Sequence, residues 1–309
     1  MGCGLGLLSL FAAKAGAKHV YGVDMSTILD HVSQIVKDNN LQDRVTLIKG
    51  KIEDVKLPVE KVDIIVSDWM GFCLFYDSTL KAVLYARNKF LKQDGLMFPD
   101  RASLYLTAIE DKSYKNHVEQ GHGGWNNLYN LNLTRIRDTI LQEPLVDVVE
   151  PQKVVTSPCM LREVDLYTAS IQDHMEFKAN FELTMKKNAN VCAFVAYFDV
   201  EFTKCHKKTV FTTRPEGKYT RWKQTVFYLD DFLAAPRIHK EVSFDRSLTA
   251  EKGEKVCGEF GIKQNPKNAK EVDFQFDLDF RGEESTLREF LTFKMRKLNV
   301  SLSDRYSHQ

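Results

Sequence analysis

Residues 67–77 read Ser67-Asp68-Trp69-Met70-Gly71-Phe72-Cys73-Leu74-Phe75-Tyr76-Asp77 and lie between two contrasting patterns. The apolar run 62–66 before them predicts a buried strand. After them, an apolar stripe predicts a helix; it consists of Leu80, Val83, Leu84 and Leu91. Loops that leave the carboxyl ends of strands are where ligands bind in open α/β sheets. The stretch therefore predicts a binding loop in an α/β domain.

Asp68 and Asp77 are the two acids of this otherwise aromatic and apolar loop. Burying a carboxylate is unfavourable unless it meets a cation. The cation that fits two carboxylates best is a guanidinium, which carries five N–H donors in a planar fork. Either aspartate alone would also suit a turn or a helix N-cap. Two of them around residues 69–74 favour a guanidinium clamp.

Length and charge narrow the class of protein. A chain of 309 residues with 43% hydrophobic residues predicts about two domains around a large core. The net charge of +1 provides no overall field toward nucleic acid or membrane, so we expect neither as a direct partner. No apolar run approaches a membrane span, and no signal peptide is visible.

The cysteines predict free thiols. They are scattered and form no Cys-x-x-Cys pair: Cys3, Cys73, Cys159, Cys192, Cys205 and Cys257. This favours a reducing compartment, cytoplasmic and/or nuclear, over a disulfide framework. Cys205-His206 lacks the ligand spacing of a zinc site, so we expect no metal.

Three glycines, Gly2, Gly4 and Gly6, open the chain before a helical pattern that Gly16 ends. Such a loop binds ligands only between a strand and a helix, and no strand precedes it here; a simple tight turn is the alternative. Asp24 ends the predicted strand 18–24 and could hold a ribose diol. A nicotinamide dinucleotide and S-adenosylmethionine both remain open, with the glycine spacing mildly favouring the second.

The period with which apolar residues recur in the sequence changes near residue 102. Before it, a helix is predicted at 26–39 and a strand at 45–50, followed by Glu53, which could be an exposed turn acid. After it, alternation at 102–108 and 272–280, with further candidate strands at 191–203 and 222–229, predicts an antiparallel barrel or sandwich. Residues 204–208 are predicted as a solvated strand end or a turn, 234–255 as a loop, and the tail after Arg281 is only weakly periodic.

Several stretches together resemble the protein arginine methyltransferase family. Besides residues 67–77, they are Gly2-Cys3-Gly4-Leu5-Gly6, Phe98-Pro99-Asp100-Arg101-Ala102, Glu143-Pro144-Leu145-Val146-Asp147-Val148-Val149 and Tyr219-Thr220-Arg221-Trp222-Lys223-Gln224. Residues 67–77 resemble the family's double-glutamate loop, with aspartate at both acidic positions. The likeness covers nearly the whole chain and is closest to the type I branch, which makes asymmetric dimethylarginine.

The resemblance implies a fold of class α/β plus all-β. Residues 1–101 would form a Rossmann-like S-adenosylmethionine-dependent methyltransferase domain, and 102–309 an antiparallel β-barrel domain. A helical arm at about 113–138, with an aromatic and leucine face, would mediate dimerisation. The family's first strand and cofactor lid have no counterpart in the sequence, so we expect residues 1–309 alone not to form a competent folding unit. A cis bond is implied before Pro99.

The same resemblance implies the site. Gly2, Gly4, Gly6, Asp24 and Glu53 would hold S-adenosylmethionine, with Glu53 accepting from the adenine amino group. The resemblance further implies that protein arginines, in Arg/Gly-rich segments, are the substrates.

The clamp acids Asp68 and Asp77 would grip the substrate guanidinium. Met70 and Tyr76 would pack around it, and Trp222 would wall the cleft. Arg221 stands where the family has a histidine, and we expect it to pair with Asp77.

The departures from the family pattern leave a second class of function open. Both clamp acids are one methylene short, which withdraws each carboxylate by up to about 1.5 Å. Together with Arg221 and the missing lid, this allows a catalytically weak regulatory subunit that heterodimerises with an active paralogue, as an alternative to an active homodimer or heterodimer. A small-molecule methyltransferase fits poorly, because the acid pair points to arginine.

Overall fold

The computed structural model describes residues 1–112, 131, 142–170, 176–229, 248–296 and 299–300. Apart from Leu131, the predicted arm at 113–138 lies outside these residues, as does most of the predicted loop at 234–255. In the part that is described, none of the helices combines the length and apolar character needed to cross a membrane.

The first hundred residues alternate between helices and strands. In chain order the elements are α1 (Leu7–Lys14), β1 (Val20–Asp24), α2 (Leu29–Asp38), β2 (Val45–Lys49), β3 (Val62–Val66), α3 (Leu80–Phe90) and β4 (Leu91–Phe98). β1 pairs with β2 and β3 pairs with β4, both in parallel. This is the α/β arrangement that the sequence predicts, and the bond Phe98–Pro99 is cis.

The chain start lies between the two pairs of strands. The amino group of Met1 donates to the carbonyl of Val66 at the end of β3 (2.8 Å), and the amide of Gly2 donates to the carbonyl of Val23 in β1 (2.9 Å). Residues 1–3 thereby connect the carboxyl ends of β1 and β3, where the candidate site lies.

Two details of this half differ from prediction. β3 is not a buried strand, since Ile64 is 50% exposed and only Ile65 is buried; periodicity does not specify what packs on each face. Leu91 does not continue the stripe of α3, because its backbone is extended and it begins β4, opposite Val62. Strand pairing therefore overrides the helical spacing at that residue.

The remaining residues are β-rich. Their elements are β5 (Arg101–Ile109), β6 (Leu145–Asp147), a 3-10 turn (Pro151–Lys153), β7 (Cys159–Asp165), β8 (Glu176–Thr184), β9 (Ala189–Val191), β10 (Ala193–Phe202), β11 (Thr209–Thr212), β12 (Gln224–Tyr228), β13 (Leu248–Ala250), β14 (Lys255–Asn265), β15 (Asn268–Arg281), β16 (Thr286–Met295) and β17 (Asn299–Val300). One sheet has the order β17-β6-β12-β10-β5-β7, with β11 on β10; another has the order β16-β15-β14-β8; β13 pairs with β9.

Aromatic rings fill the core between the two larger sheets. Phe194 of β10 stacks on Phe276 of β15 with ring centres 5.1 Å apart, and Phe227 of β12 meets Phe276 edge to face at the same distance. All three side chains are fully buried. The described strands form separate sheets rather than a closed barrel, so this half is a β-rich domain.

The strength of alternation decided which strands were predictable. β15 alternates as predicted, with Val272, Phe274, Phe276, Leu278 and Phe280 buried. The weakly periodic tail after Arg281 is nevertheless a strand, β16, paired with β15 along its length. β13 likewise lies within the predicted loop at 234–255. Cross-strand partners supply the order that local pattern does not indicate.

β5 is more enclosed than its alternation predicts. Leu104, Leu106 and Ala108 are buried, but Ser103 and Thr107 on the other face are also buried. Thr107 exchanges a hydrogen bond with the Thr156 hydroxyl (3.0 Å), which satisfies its polar group inside the fold.

Candidate active site

The glycine loop, residues 1–6, begins the site. Gly2, Gly4 and Gly6 have φ values of +63°, +47° and +79°, which favour glycine. A Cβ on Gly6 would lie 2.5 Å from a methyl group of Val32 on α2, whereas a Cβ on Gly2 or Gly4 would meet no atom of the described residues within 4 Å. The loop is therefore packed on the helix side and open at Gly2 and Gly4.

Asp24, at the carboxyl end of β1, holds this loop. Its Oδ2 accepts from the amide of Gly4 (2.8 Å), and its Oδ1 accepts from the amide and hydroxyl of Ser26 (2.9 and 2.8 Å). Burial raises the pKa of Asp24, but the hydrogen bonds from Ser26 and Gly4 outweigh burial and leave the pKa below its usual value. Ser26 was not among the predicted site residues, although an Asp side chain often accepts from the amide two residues later in an Asx turn.

Glu53 lies apart from this group. The carbonyl of Asp24 accepts from the amide of Gly50 (2.9 Å), so the ends of β1 and β2 adjoin, and Glu53 follows shortly afterwards. Its backbone carbonyl accepts from the hydroxyl of Tyr85 (3.1 Å), while its side chain is exposed and, within the described residues, makes no hydrogen bond to the glycine loop.

The clamp loop, residues 67–77, follows β3 and is anchored by Trp69. This side chain is fully buried, and its Nε1 donates to the carbonyl of Pro99 (3.2 Å). The carbonyl of Trp69 accepts from the Ser78 hydroxyl (2.8 Å) and the Thr79 amide (3.0 Å), which attaches the loop to the start of α3. Ser67, at the start of the loop, is 3% exposed, and its hydroxyl has no hydrogen-bond partner among the residues that the structure describes.

The loop folds tightly back on itself. The amide of Phe72 donates to the carbonyl of Tyr76 (3.0 Å), and the amide of Tyr76 donates to the carbonyl of Phe72 (2.9 Å). A Cβ on Gly71 would lie 1.9 Å from the carbonyl oxygen of Tyr76. Only glycine therefore fits at position 71 of this loop.

The two clamp acids stand at its two ends. Asp77 is exposed and has a left-handed backbone with φ +53°, whereas the side chain of Asp68 is 37% exposed and so partly buried. Asp68 Oδ2 accepts a hydrogen bond from Nη2 of Arg221, which corrects the prediction that Arg221 pairs with Asp77. Burial raises the pKa of Asp68; the Arg221 guanidinium opposes this only in part, so the pKa stays above its usual value.

Trp222 explains why Arg221 reaches Asp68. Its Nε1 donates to the carbonyl of Met70 (3.1 Å), two residues after Asp68. Its ring stacks on Phe211 at 5.6 Å, and the guanidinium carbon of Arg221 lies 4.5 Å from its ring centre. Trp222 thus joins the β-rich domain to the end of the clamp loop that contains Asp68.

The other two residues predicted around the guanidinium are more enclosed. Met70 is 6% exposed and belongs to the core. Tyr76 is half-buried, and its hydroxyl lies 3.5 Å from the carbonyl of Arg296, at the end of β16. The spacing of residues in the sequence does not indicate that Arg296 or Phe211 lies at the site, because both approach it from distant parts of the chain.

Comparison with known proteins agrees with this geometry. A family model described as a methyltransferase domain matches residues 1–95, and one described as the arginine methyltransferase oligomerization subdomain matches residues 100–283. Together with the glycine loop and Asp24, these matches place the chain among the methyltransferases by family.

Similarity to individual relatives narrows the class. The chain is 48% identical over 283 residues to protein arginine N-methyltransferase 8-B of Danio rerio, and 45% identical over 296 residues to protein arginine N-methyltransferase 1 of Chlamydomonas reinhardtii. It belongs to the protein arginine N-methyltransferase family. The alignments cover 92% and 96% of this chain, and the chain spans 63% of the length of the first relative and 80% of the second.

Two solved structures have the same fold. One is a Trypanosoma brucei PRMT1 enzyme–prozyme heterotetrameric complex with AdoHcy, with a TM-score of 0.84 and 34% identity over 96% of this chain and 87% of that one. The other is Arabidopsis thaliana protein arginine methyltransferase 10, with a TM-score of 0.78 and 25% identity over 95% and 87% of the two chains.

The residues present fit S-adenosylmethionine. The glycine loop is open where an added Cβ at Gly2 or Gly4 would meet nothing, which leaves room for a ligand to approach the backbone. The ionised Asp24 lies beside that opening and can accept hydrogen bonds from a diol. Both features face the carboxyl ends of β1 and β3, the usual ligand edge of an α/β sheet.

Proposed function

We propose that this protein transfers methyl groups from S-adenosylmethionine to the guanidino nitrogens of protein arginines. The observation that carries the proposal is that Asp68 already holds a guanidinium, that of Arg221, against the ring of Trp222. A carboxylate at the edge of the fork and an aromatic ring on its face are the contacts that recognise arginine.

The residues of this chain would act mainly by positioning. Gly2, Gly4 and Gly6 would hold the methionine end of S-adenosylmethionine, Asp24 its ribose and Glu53 its adenine; the sulfonium group supplies an activated methyl group. Asp68 and Asp77 would orient the substrate fork and draw its positive charge away from the attacking nitrogen. Alignment of this kind accounts for large rate gains without a strong base.

The domain organisation belongs to the same proposal. Residues 1–101 would be the cofactor domain and 102–309 the substrate domain, closed as a barrel, with a dimerisation arm at about 113–138. The match to an oligomerization subdomain and the heterotetrameric T. brucei relative support assembly with a second copy or a paralogue. Arg/Gly-rich proteins are the proposed substrates, and the six free cysteines support a cytoplasmic and/or nuclear location.

The regulatory-subunit alternative is not favoured. The relatives at 45–48% identity are named as protein arginine N-methyltransferases. Both clamp positions also keep an acid, whereas an inactive clamp would tolerate amides or apolar residues.

The test compares the full chain with its Asp68→Asn/Asp77→Asn variant on an arginine-glycine-rich peptide, with methylation followed by mass spectrometry. Each lost charge-assisted hydrogen bond is worth about 1.5–3 kcal/mol, so the double variant should lose at least about a hundredfold in kcat/KM. Asp63→Asn is the control, because Asp63 is 77% exposed and its ion pair among the described residues is with Lys92.

Two outcomes would contradict the proposal. Retention of the parent rate by the Asp68→Asn/Asp77→Asn variant would show that the clamp assignment is wrong. A parent that never methylates the peptide but stimulates an active paralogue would establish the regulatory alternative.

A further inference from the structure

Arg221 presents its guanidinium to the clamp from within the same chain. Nη2 donates to Oδ2 of Asp68, and the guanidinium carbon lies 4.5 Å from the ring centre of Trp222. Trp222 is itself held by its bond to the carbonyl of Met70 and by stacking on Phe211. Arg221 therefore makes the contacts that a substrate guanidinium would need at Asp68.

This contact is easily exchanged. The side chain of Arg221 is 64% exposed, and that of Asp68 is 37% exposed. Ion pairs and cation–π contacts in such positions are weak, because water competes with both partners. Asp68, by contrast, is buried enough that its ionised form favours a cation beside it. A second guanidinium can therefore replace the first without leaving the carboxylate unpaired.

We propose that Arg221 is an internal competitor of the substrate arginine, and that it sets the affinity of the clamp for arginine peptides. The inference rests on the proposed function. A peptide arginine has to displace Arg221 from Asp68. The apparent affinity for the peptide therefore equals the intrinsic affinity multiplied by the fraction of molecules in which Asp68 is accessible. Trp222 stays in place during this exchange, because its bond to Met70 does not involve Arg221.

The experiment measures binding of one arginine-glycine-rich peptide by the full chain, with S-adenosylhomocysteine present to prevent turnover. Arg221→Gln keeps a polar side chain and removes the charge. It should lower both the Kd and the KM for the peptide about three- to tenfold and change kcat less than about twofold, the range expected for an exposed ion pair with a cation–π contact.

Two further variants separate competition from general effects of charge. Arg288→Gln is the matched control, because Arg288 on β16 is 63% exposed and pairs with Asp277 on β15 (3.1 Å). This variant should leave the Kd for the peptide unchanged. In an Asp68→Asn background, Arg221→Gln should give no further tightening, because the contested carboxylate is absent.

The outcomes are distinct. An unchanged or weaker affinity in Arg221→Gln, with a wild-type thermal melt, would overturn the inference while leaving the proposed function intact. Peptide that binds to none of the variants, with no methylation, would overturn the proposed function and this inference with it. If Arg221→Gln fails to fold, Arg221→Lys decides: a smaller tightening supports competition, and an unchanged Kd refutes it.

Discussion

The glycine loop and the clamp loop both depend on glycine, but for opposite reasons. At Gly2 and Gly4 the left-handed backbone favours glycine, although no atom of the described residues would lie within 4 Å of an added Cβ. At Gly71 there is no space, since the carbonyl of Tyr76 lies 1.9 Å from where a Cβ would be. The first loop keeps a surface free for a ligand, and the second is compressed into a rigid turn.

The two loops also differ in where their partners lie along the chain. The glycine loop is held by Asp24, twenty residues from Gly4. The clamp loop is joined by Arg221 and Trp222, about 150 residues away. The glycine-loop end of the candidate site is thus organised within the α/β half, whereas the clamp-loop end depends on how the β-rich half packs against it.

The largest expected effect is that of Gly71→Ala. A methyl group facing a backbone carbonyl cannot be relieved by a side-chain rotation, so we expect about 3 kcal/mol of destabilisation and about a hundredfold loss of methylation. Urea denaturation and steady-state kinetics measure the two effects. Gly261→Ala is the control, because its nearest atoms would lie at 3.5 Å or beyond. Equal behaviour of the two variants would show that the clamp loop is not compressed.

Asp24→Asn should weaken S-adenosylmethionine binding about tenfold or more, since it removes the charge that accepts from Gly4 and Ser26. Hydrogen bonding lowers the pKa of Asp24, so the ionised Asp24 stabilises the folded loop at pH values above the usual carboxylate pKa. This stabilisation is lost as the pH falls through the lowered pKa. Calorimetric titration at several pH values measures both. Asp30→Asn is the control, because the side chain of Asp30 on α2 is 74% exposed; this variant should bind S-adenosylmethionine normally. An equal loss of affinity in Asp30→Asn would refute a specific role for Asp24.

Lengthening the clamp should have a smaller effect of opposite sign. Asp68→Glu/Asp77→Glu extends each carboxylate by about 1.5 Å, and better alignment should raise kcat about tenfold with little change in peptide affinity. The comparison uses single-turnover methylation, with Asp63→Glu as the control. A slower double variant would show that the loop geometry is already matched to aspartate.

The smallest effect concerns pH. The Arg221 guanidinium partly offsets the burial that raises the pKa of Asp68, so Arg221→Gln should raise that pKa further. In the proposed function the ionised Asp68 carboxylate binds the substrate, so the acidic limb of the pH profile of peptide binding should move to higher pH. Arg288→Gln should leave the limb in place. A limb that does not move in Arg221→Gln would show that Asp68 does not control it.

The local structure around the glycine loop was predictable because its determinants lie close together in the sequence. The Gly2, Gly4 and Gly6 pattern, the helix after it and Asp24 all lie within one strand–helix segment, and the structure joins Gly4 to Asp24 as a single unit. β15 was equally predictable, because its alternation is strong enough to specify which face is buried.

By itself the sequence determined the alternation of helices and strands in the first hundred residues, the loop after β3 and the two acids within it, since these depend on residue type and short spacings. The tertiary structure alone decided that Arg221 meets Asp68 rather than Asp77, that β16 forms from a weakly periodic tail, and that Ile64 stays exposed. The physical reason is that each of these depends on what packs against the residue from a distant part of the chain. A single ion pair or an uncovered strand face leaves no periodic trace in the sequence.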